Sequence, residues 1–501
     1  MIRLIGGEMP GWHEDRPPAG GALYGYLTDQ LPAGASVLVA GPHDHALIET
    51  LAARTAVTCL VRSQPEAERL DARGLDVLCG TLTKLTEAGR WDAVVALDGL
   101  GRLCSVEGPQ YDWAESLRSL RNALLPGGVL LLTVENELGV HRLVDPAAAT
   151  AARTDDAWRP LGEFDDSKPG NPARLAGRLA AEDLALGWLG AAWPEPGSPT
   201  LIATPEALRD GPADALAAVA ASAVATAYRN RSVLSDPRRL AAAAVRGGIG
   251  PELAAAWLVI AHRAPLPATP LRAAPVLLGD GPVLEIGPGP DGEWVRRVRR
   301  EVPGRDHAPA GPLPPGRLLE ELLLGACLRH DLPAIRGLLT GWMAALPDAS
   351  PDNVVVAGET FAELDPSVPA RADVLSGLAT TLLTGGYAHP WPAATDLRTL
   401  TAILHGAAGL PGDVPAIPPG DDPPAPDSRR EHEEQLRSLR RLLADADARA
   451  EQYELEIAKR DTELTKARVQ IATFSGSFGY RMAKLGYGVA RKARQRLRKR
   501  T

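Results

Sequence analysis

Short apolar runs separated by amphipathic segments dominate the first third of the chain. The run 36–41 is apolar and ends in a glycine, an amphipathic segment follows at 46–54, and a second apolar run lies at 57–61. Apolar runs at 91–98 and 124–133 continue this alternation. Alternating strand and helix patterns predict a parallel sheet with helices on both faces. The sequence therefore predicts an α/β fold for this part of the chain.

The same unit is predicted to end in antiparallel strands. Residues 186–193 and 200–204 are two apolar runs joined by a turn rich in Pro and Gly, and 254–262 has the composition of a last strand. We assign residues 31–263 to this first domain and residues 1–30 to a lead-in segment.

A joint rich in Pro and Ala, residues 264–275, precedes a second predicted unit at 270–410. Its patterns indicate short strands at 276–298, helices at 318–345 and a hairpin within 353–365, whose turn contains a glycine. This mixture predicts a smaller α+β domain.

The C-terminal part of the chain has a heptad pattern. Residues 411–427, rich in Pro and Asp, are expected to form a disordered linker. Residues 428–474 carry an apolar seam, which predicts a coiled coil and therefore a homo-oligomer. The alternative is a helix that packs back on its own domain. The a positions are Leu436, Leu443, Ala450, Ile457, Leu464 and Ile471, and the d positions are Leu439, Ala446, Tyr453, Arg460, Ala467 and Phe474.

The last segment, residues 475–501, is basic and amphipathic. Phe478, Met482, Leu485 and Val489 recur at helical spacing, and many Lys and Arg residues surround them with no acidic residue. Such a helix is typical of an anionic membrane surface binder. The alternative is a solvated tail after the coiled coil.

Composition narrows the function classes. The chain of 501 residues has a formal net charge of −8 and four cysteines, and these have no metal-ligand spacing. We expect no metal site and no nucleic-acid partner. The N-terminus lacks the apolar region of a signal peptide, and no apolar run is long enough to span a bilayer. The expected location is the cytoplasm, with peripheral attachment to the inner membrane face through the tail.

The order of the apolar runs resembles class I S-adenosylmethionine (SAM)-dependent methyltransferases. The resemblance implies a Rossmann-like domain that binds SAM at the carboxyl ends of its strands. It implies that Asp98 faces the transferred methyl group as the catalytic residue. The residues that it places around the cofactor are Gly41, His43, His45, Arg62, Gly80, Thr81, Leu97 and Asp98.

Several of these positions depart from the family pattern. The first turn retains only Gly41 of the usual glycines, and His43 and His45 add bulk where the backbone must approach the ligand. Val61 stands where the family has an acidic residue that accepts hydrogen bonds from the ribose. Loss of such charge-assisted bonds costs about 1.5–3 kcal/mol each.

The second predicted domain, residues 270–410, has a weak resemblance to kinase-like phosphotransferases. That resemblance implies a base at Asp348, magnesium ligands at Asn353 and Asp365, and a phosphate-covering loop at 287–292. The plain interpretation of this loop is a hairpin turn. Residues 270–410 contain no lysine to pair with the phosphates.

Two functional hypotheses follow. The segment Glu135 to Gly139 is similar to one in methyltransferases of bacterial glycan and cell-surface biosynthesis. The first hypothesis is therefore a SAM-dependent methyltransferase-like protein of glycan or glycolipid synthesis, whose acceptor the sequence does not identify. The alternative is a non-catalytic scaffold that retains the fold and acts through its coiled coil and basic tail.

Overall fold

The computed structural model describes residues 1–86, 89–144, 165–228, 231, 233–279, 281–301, 310–371, 373–385, 387–410, 429–476 and 478–497. It divides into two compact units, Met1–Arg430 and Glu431–Thr501. The predicted linker 411–427 lies outside the described residues.

The first unit is built on one large mixed sheet. Within the described residues this sheet has 13 strands. They are β1 (Ile2–Gly6), β2 (Ser36–Ala40), β3 (Ala56–Val61), β4 (Asp76–Gly80), β5 (Trp91–Ala96), β6 (Leu124–Glu135), β7 (Leu184–Trp193), β8 (Leu201–Ala203), β9 (Ala256–Arg263), β10 (Val276–Leu278), β11 (Val283–Pro288), β12 (Trp294–Arg300) and β13 (Gly311–Pro312). A separate antiparallel sheet contains β14 (Arg317–Leu318), β15 (Val354–Ala357) and β16 (Thr360–Glu363).

Helices cover both faces of the large sheet and surround the small one. Those of the first unit are α1 (Ala22–Thr28), α2 (His45–Ala52), α3 (Gln64–Asp71), α4 (Trp113–Ala123), α5 (Val140–Val144), α6 (Pro172–Ala181), α7 (Pro205–Asp210), α8 (Ala213–Ala227), α9 (Pro237–Arg246), α10 (Gly250–Leu253), α11 (Leu319–Leu328), α12 (Leu332–Ala345), α13 (Val374–Thr384) and α14 (Leu397–Ala407). A 3-10 turn occupies Leu82–Lys84.

The strand order confirms the predicted α/β sheet. The order β1-β4-β3-β2-β5-β6 is parallel throughout, and β9 then pairs antiparallel with both β6 and β7. The chain winds outward from β2 to β4 on one side and from β5 to β6 on the other. Consequently the order reverses between β2 and β5, and ligands of open α/β sheets bind at the carboxyl ends of the strands beside such a reversal. This is a Rossmann-like architecture, and the hairpin of β7 and β8 is the predicted antiparallel closure.

The predicted boundary between 263 and 270 does not divide the sheet. Strand β10 pairs antiparallel with β8 of the first predicted domain and with β11 of the second. One apolar cluster also joins Ala191 and Val219 to Ile286 and Val355. The apolar runs of the second predicted unit therefore extend the first sheet, since they complete the open edge that β8 would otherwise leave. The predicted lead-in 1–30 likewise contributes β1 and α1 to this unit.

The second unit consists of two helices, α15 (Arg429–Gly476) and α16 (Phe478–Leu497). Helix α15 covers the predicted heptad segment, and α16 covers most of the predicted basic amphipathic segment. No helix of the described residues is both long enough and apolar enough to cross a membrane.

Candidate functional site

The candidate site lies where β2 and β5 end, at the reversal of strand order. Gly41 follows β2 with a φ of +91°, a left-handed conformation that favours glycine. A Cβ at this position would lie 3.3 Å from Leu103 Cδ2, so the turn also has little space for a side chain. Leu97 and Asp98 follow β5 on the neighbouring strand. The predicted cofactor-binding residues at the ends of β2 and β5 are therefore close together.

His43 fills the space between these two strand ends. Its ring is buried, with Nδ1 3.0 Å from the carbonyl oxygen of Gly41 and Nε2 3.1 Å from the amide nitrogen of Leu97. Because an amide N–H donates, Nε2 accepts and the proton resides on Nδ1. Burial lowers the pKa of His43 below its ordinary value. His43 is thus a neutral structural bridge between β2 and β5.

The N-terminal residues 7–20, which we call the crossing segment, run over the carboxyl ends of β3 and β2. Met9 donates its amide to the carbonyl of Arg62 at 2.8 Å and accepts from the amide of Gln64 at 3.2 Å. Further along, Ala19 donates to the carbonyl of Pro42 at 3.1 Å and accepts from the amide of Asp44 at 2.8 Å. The crossing segment thus uses backbone groups at the edge where a ligand of this fold would bind.

Arg62, one of the predicted cofactor-binding residues, binds the crossing segment. Its Nε and Nη2 each lie 2.9 Å from a carboxylate oxygen of Glu14, and Nη1 donates to the carbonyl of Cys104 at 2.8 Å. The two charged side chains are 8% and 13% exposed. The Arg62 guanidinium carbon lies over the Trp12 ring, 5.6 Å from the centroid of that ring. Arg62 therefore has its charge neutralised within the chain.

Asp98, the predicted catalytic residue, is paired with Arg102, four residues later in the loop after β5. Both carboxylate oxygens accept hydrogen bonds from the Arg102 guanidinium, and the two side chains are 7% and 5% exposed. Burial disfavours the charged guanidinium, yet the hydrogen bonds to Asp98 hold the pKa of Arg102 above its usual value. Arg102 also donates to the carbonyls of Arg16 at 2.8 Å and Pro17 at 2.9 Å, and so anchors the crossing segment.

The remaining predicted cofactor residues also have internal partners. Gly80 has a φ of +152°, and a Cβ there would lie 2.5 Å from the carbonyl oxygen of Gly6. Thr81 Oγ1 accepts from the amide of Ser105 at 3.0 Å. His45 Nε2 lies 2.7 Å from a carboxylate oxygen of Glu66. Thr81 thus contacts the loop after β5, His45 connects α2 to α3, and the close approach of β1 leaves no space for a side chain at Gly80.

SAM does not fit this arrangement of side chains. Val61 is buried and offers no acceptor to the ribose, Arg62 is held by Glu14, and Asp98 is held by Arg102. The ring of His43 and the crossing segment occupy the strand ends. In class I methyltransferases the backbone at these strand ends would contact the cofactor. Binding in the family's position would require separating two buried ion pairs, which would leave buried charges without compensation.

The predicted phosphotransferase residues also make structural contacts. Asn353 Nδ2 donates to the carbonyl of Asp365 at 2.8 Å, and Asn353 Oδ1 accepts from the Asp365 amide at 2.9 Å. The Asp365 carboxylate accepts from the amide and hydroxyl of Ser367. Residues 287–292 form the end of the β11–β12 hairpin, as the simpler interpretation predicted. No group of His, Cys, Asp and Glu side chains suitable for a metal occurs among the described residues.

Sequence reasoning missed the crossing segment. Glu14 and Arg16 belong to residues assigned to the lead-in, and Arg16 forms an ion pair with Glu135 at 3.5 Å. Hydrogen bonds from His141 and Arg142 hold the pKa of Glu135 well below its usual range despite its burial. Asn136 donates to the carbonyls of Glu252 and Ala254 at 2.7 and 2.8 Å. The only signal in the sequence was the concentration of charged and aromatic residues in 12–16.

No protein-family model matches the chain, and no curated protein matches its sequence. Solved structures of SAM-dependent methyltransferases are similar to about half of it. One, from Mesorhizobium loti, is 14% identical with a TM-score of 0.28 and covers 49% of this chain and 99% of its own. Another is the 1,6-didemethyltoxoflavin-N1-methyltransferase of Burkholderia thailandensis, with bound 1,6-didemethyltoxoflavin and S-adenosylhomocysteine. It is 14% identical with a TM-score of 0.25 and covers 48% of this chain and 76% of its own. The cyclase SpnF is 16% identical with a TM-score of 0.27 and covers 49% and 80% respectively.

Proposed function

We propose that this chain is a non-catalytic scaffold with a methyltransferase-like fold. The observation that carries the proposal is the crossing segment, which is fixed over the strand ends by the Glu14–Arg62 pair and by Arg102. A methyltransferase acts by positioning its acceptor against the methyl group of SAM. In this chain the residues that would perform that positioning bind the crossing segment of the same chain.

Helices α15 and α16 supply the means by which the scaffold acts. Helix α15 exposes an apolar seam of the heptad type, which supports self-association. Helix α16 exposes Met482, Leu485 and Val489 beside basic residues, which supports attachment to an anionic bilayer. Each Lys or Arg near such a surface contributes about 1 kcal/mol. We place this scaffold in glycan or glycolipid synthesis at the inner membrane face, because of the resemblance of the segment from Glu135 to Gly139.

Isothermal titration calorimetry of the full chain tests the loss of cofactor binding. We expect no heat of binding with SAM or S-adenosylhomocysteine at millimolar ligand, while an active methyltransferase in the same buffer gives a saturable signal. Saturable binding by this chain at micromolar ligand would overturn the non-catalytic assignment. Thermal shift with S-adenosylhomocysteine gives a second measurement, because ligand that binds only the folded state raises Tm.

Flotation with lipid vesicles tests the attachment. The full chain is expected to float with vesicles that contain phosphatidylglycerol and to remain behind with phosphatidylcholine alone. Removal of residues 478–501 should abolish flotation. The matched control replaces Arg491, Lys492 and Arg494 with Gln, which keeps the apolar side of α16, and should weaken flotation and its dependence on salt. Unchanged flotation of the truncated chain would refute the role of α16.

A further inference from the structure

Helix α15 carries an exposed apolar seam along most of its length. Leu443, Ile457 and Leu464 occupy a positions of the heptads and are 62, 60 and 53% exposed in the single chain. Most side chains on the other faces of this stretch are charged or small, as at Arg449 and Lys459, with Leu455 as an exposed apolar exception. An amphipathic helix of 48 residues gains its stability mainly from packing of such a seam against a partner.

Charges beside the seam favour a parallel partner of the same sequence. In a parallel pair each g residue faces the e residue five positions later in the other copy. This arrangement sets Arg449 against Glu454 and Glu463 against Arg468, so both pairs are of opposite sign. Glu456 faces Asp461, which is a pair of like charge.

The antiparallel alternative brings together groups of like charge. In an antiparallel pair that overlaps the whole seam, e residues face e residues and g residues face g residues. Arg440 then faces Arg468, Asp447 faces Asp461, and Glu454 and Glu456 each face their own copy. Only Arg449 and Glu463 attract each other. An antiparallel shift by one heptad relieves part of this repulsion but leaves seam residues beyond the apolar seam of the partner, Ile471 for a shift in one direction and Leu436 and Leu439 for the other.

Arg460 fixes the register of the parallel pair. It occupies a d position, and its guanidinium lies 3.1 Å from a carboxylate oxygen of Glu456 in its own chain. In register, the two Arg460 residues share one layer, flanked by Glu456 and by Asp461 of the other copy. The like charges of Glu456 and Asp461 are compensated in this layer, because these carboxylates surround the two buried guanidinium groups of Arg460. Displacement by one heptad would set Arg460 against Tyr453 or Ala467 of the other copy instead. A single polar core position specifies register and a small oligomer in this way.

We propose that two copies of this chain pair in parallel and in register along α15, so that both copies of α16 attach to one anionic lipid bilayer. The inference rests on the proposed scaffold function and adds its partner and geometry. Parallel pairing brings the carboxyl ends of both α15 helices together, and α16 begins two residues after α15 ends. The two basic helices are thereby tethered at one end of the pair. Tethering makes the second attachment intramolecular, which raises overall affinity by about 10²–10⁴-fold.

Disulfide cross-linking of the full chain distinguishes the two orientations. Leu443→Cys and Ala467→Cys are each expected to cross-link with their own copies, because equal a or d residues meet in a parallel pair. The two variants carry tags of different size and are mixed, and α15 is then unfolded and refolded so that the copies exchange partners. An antiparallel pair would yield only the heterologous product between positions 443 and 467. That product as the main species would overturn the proposal. Ala448→Cys, on the outer face, and the wild-type chain, whose cysteines at 59, 79, 104 and 327 are buried, are the controls.

Vesicle binding by a pairing variant tests the tethered attachment. Leu464→Asp removes an apolar side chain from the seam and is expected to make the chain monomeric by light scattering. Thr465→Asp places the same charge on the adjacent outer position and should leave the pair intact. We expect Leu464→Asp to reduce affinity for phosphatidylglycerol vesicles at least tenfold, and Thr465→Asp to change it less than twofold. A monomeric Leu464→Asp chain with undiminished affinity would overturn the tethering.

These outcomes separate the inference from the function that it extends. Heterologous cross-links, or a monomeric wild-type chain, would refute the parallel pair and leave the loss of SAM binding untouched. Conversely, flotation that survives removal of residues 478–501 would refute membrane attachment by α16 while parallel cross-links remain. A chain that binds RNA in place of vesicles would likewise exclude the lipid partner.

Discussion

Arg62 is a charged side chain buried beneath the crossing segment. Its contribution to the free energy of unfolding depends on its partner, Glu14. Glu14 neutralises it with two hydrogen bonds of 2.9 Å, and Glu14 is itself largely buried. Removing one member of a buried pair leaves the other charge without compensation, which costs about 3–5 kcal/mol. We predict that Arg62→Met lowers the free energy of unfolding by about 3 kcal/mol in urea denaturation.

Arg73 provides the matched control for this substitution. It forms the same kind of hydrogen bond, from Nε to Glu49 at 3.0 Å, but both side chains are exposed to solvent. Exposed pairs contribute about 0–1 kcal/mol. Arg73→Met should therefore change stability by less than about 1 kcal/mol. Equal effects of the two substitutions would contradict the structural role of Arg62.

His43 makes stability depend on pH. Burial lowers its pKa in the folded state, and a proton on Nε2 would oppose the amide that Leu97 donates to this atom. The unfolded chain has the ordinary value of about 6.5 and therefore binds a proton that the folded chain excludes. The contribution of His43 is fully present above pH 6.5 and is lost as the pH falls below it.

We predict that His43→Gln flattens this dependence. Below pH 6.5 the free energy of unfolding of the wild-type chain should fall more steeply than that of the variant, by up to about 1.4 kcal/mol per pH unit. Urea denaturation at several pH values between 5 and 8 measures both slopes. A variant that keeps the wild-type slope, whatever its stability at neutral pH, would show that His43 is not the responsible group.

At the scale of elements, Asn353 holds together the hairpin of β15 and β16. Its amide both donates to and accepts from the backbone of Asp365, and the side chain is buried. Asn353→Ala would leave both backbone groups of Asp365 unpaired, at about 1–3 kcal/mol each. We predict a loss of about 2–4 kcal/mol in the free energy of unfolding. Asn122→Ala, on an exposed helical face, should change it by less than about 0.5 kcal/mol.

The same hairpin decides the phosphotransferase hypothesis. If Asn353 were a magnesium ligand, Mg·ATP would raise Tm of the wild-type chain and not that of Asn353→Ala. We expect no shift in either protein, because the amide of Asn353 is fully used by Asp365. A magnesium-dependent rise in Tm of the wild-type chain would reverse this assignment.

The elements were predictable from the sequence where one local pattern defines them. The apolar runs at 36–41, 57–61 and 283–286 correspond to β2, β3 and β11, since buried strands are short and apolar. The candidate site was predictable in position but not in content. Glu14 and Arg62 are 48 residues apart, and no periodicity relates a charge in a lead-in to one at a strand end. Hence Val61 and His43 indicated a changed site, but nothing in the sequence identified what occupies it.

At the scale of the whole molecule, the large sheet couples the two predicted domains. Strand β10 lies between β8 and β11, and Ile286 of β11 packs in one cluster with Ala191 of β7 and Val355 of β15. Two domains joined by a linker would each have a core of their own and could unfold separately. Residues 319–408 have an apolar cluster of their own, but the shared sheet and the shared cluster connect it to the rest, so we predict that the chain from Met1 to Arg430 unfolds as one cooperative unit.

Differential scanning calorimetry of the full chain and of Ile286→Ala tests this coupling. The wild-type chain should give one main transition for the first unit, because β10 and β11 complete the sheet begun by β2. Truncation of a buried isoleucine costs about 2–5 kcal/mol, so Ile286→Ala should move the whole transition to lower temperature without splitting it. Leu131→Ala in β6, a buried residue of the first predicted domain, is the matched variant and should move the same transition. If Ile286→Ala shifts one transition and Leu131→Ala shifts another, the two predicted domains are thermodynamically independent, and the continuous sheet does not couple them.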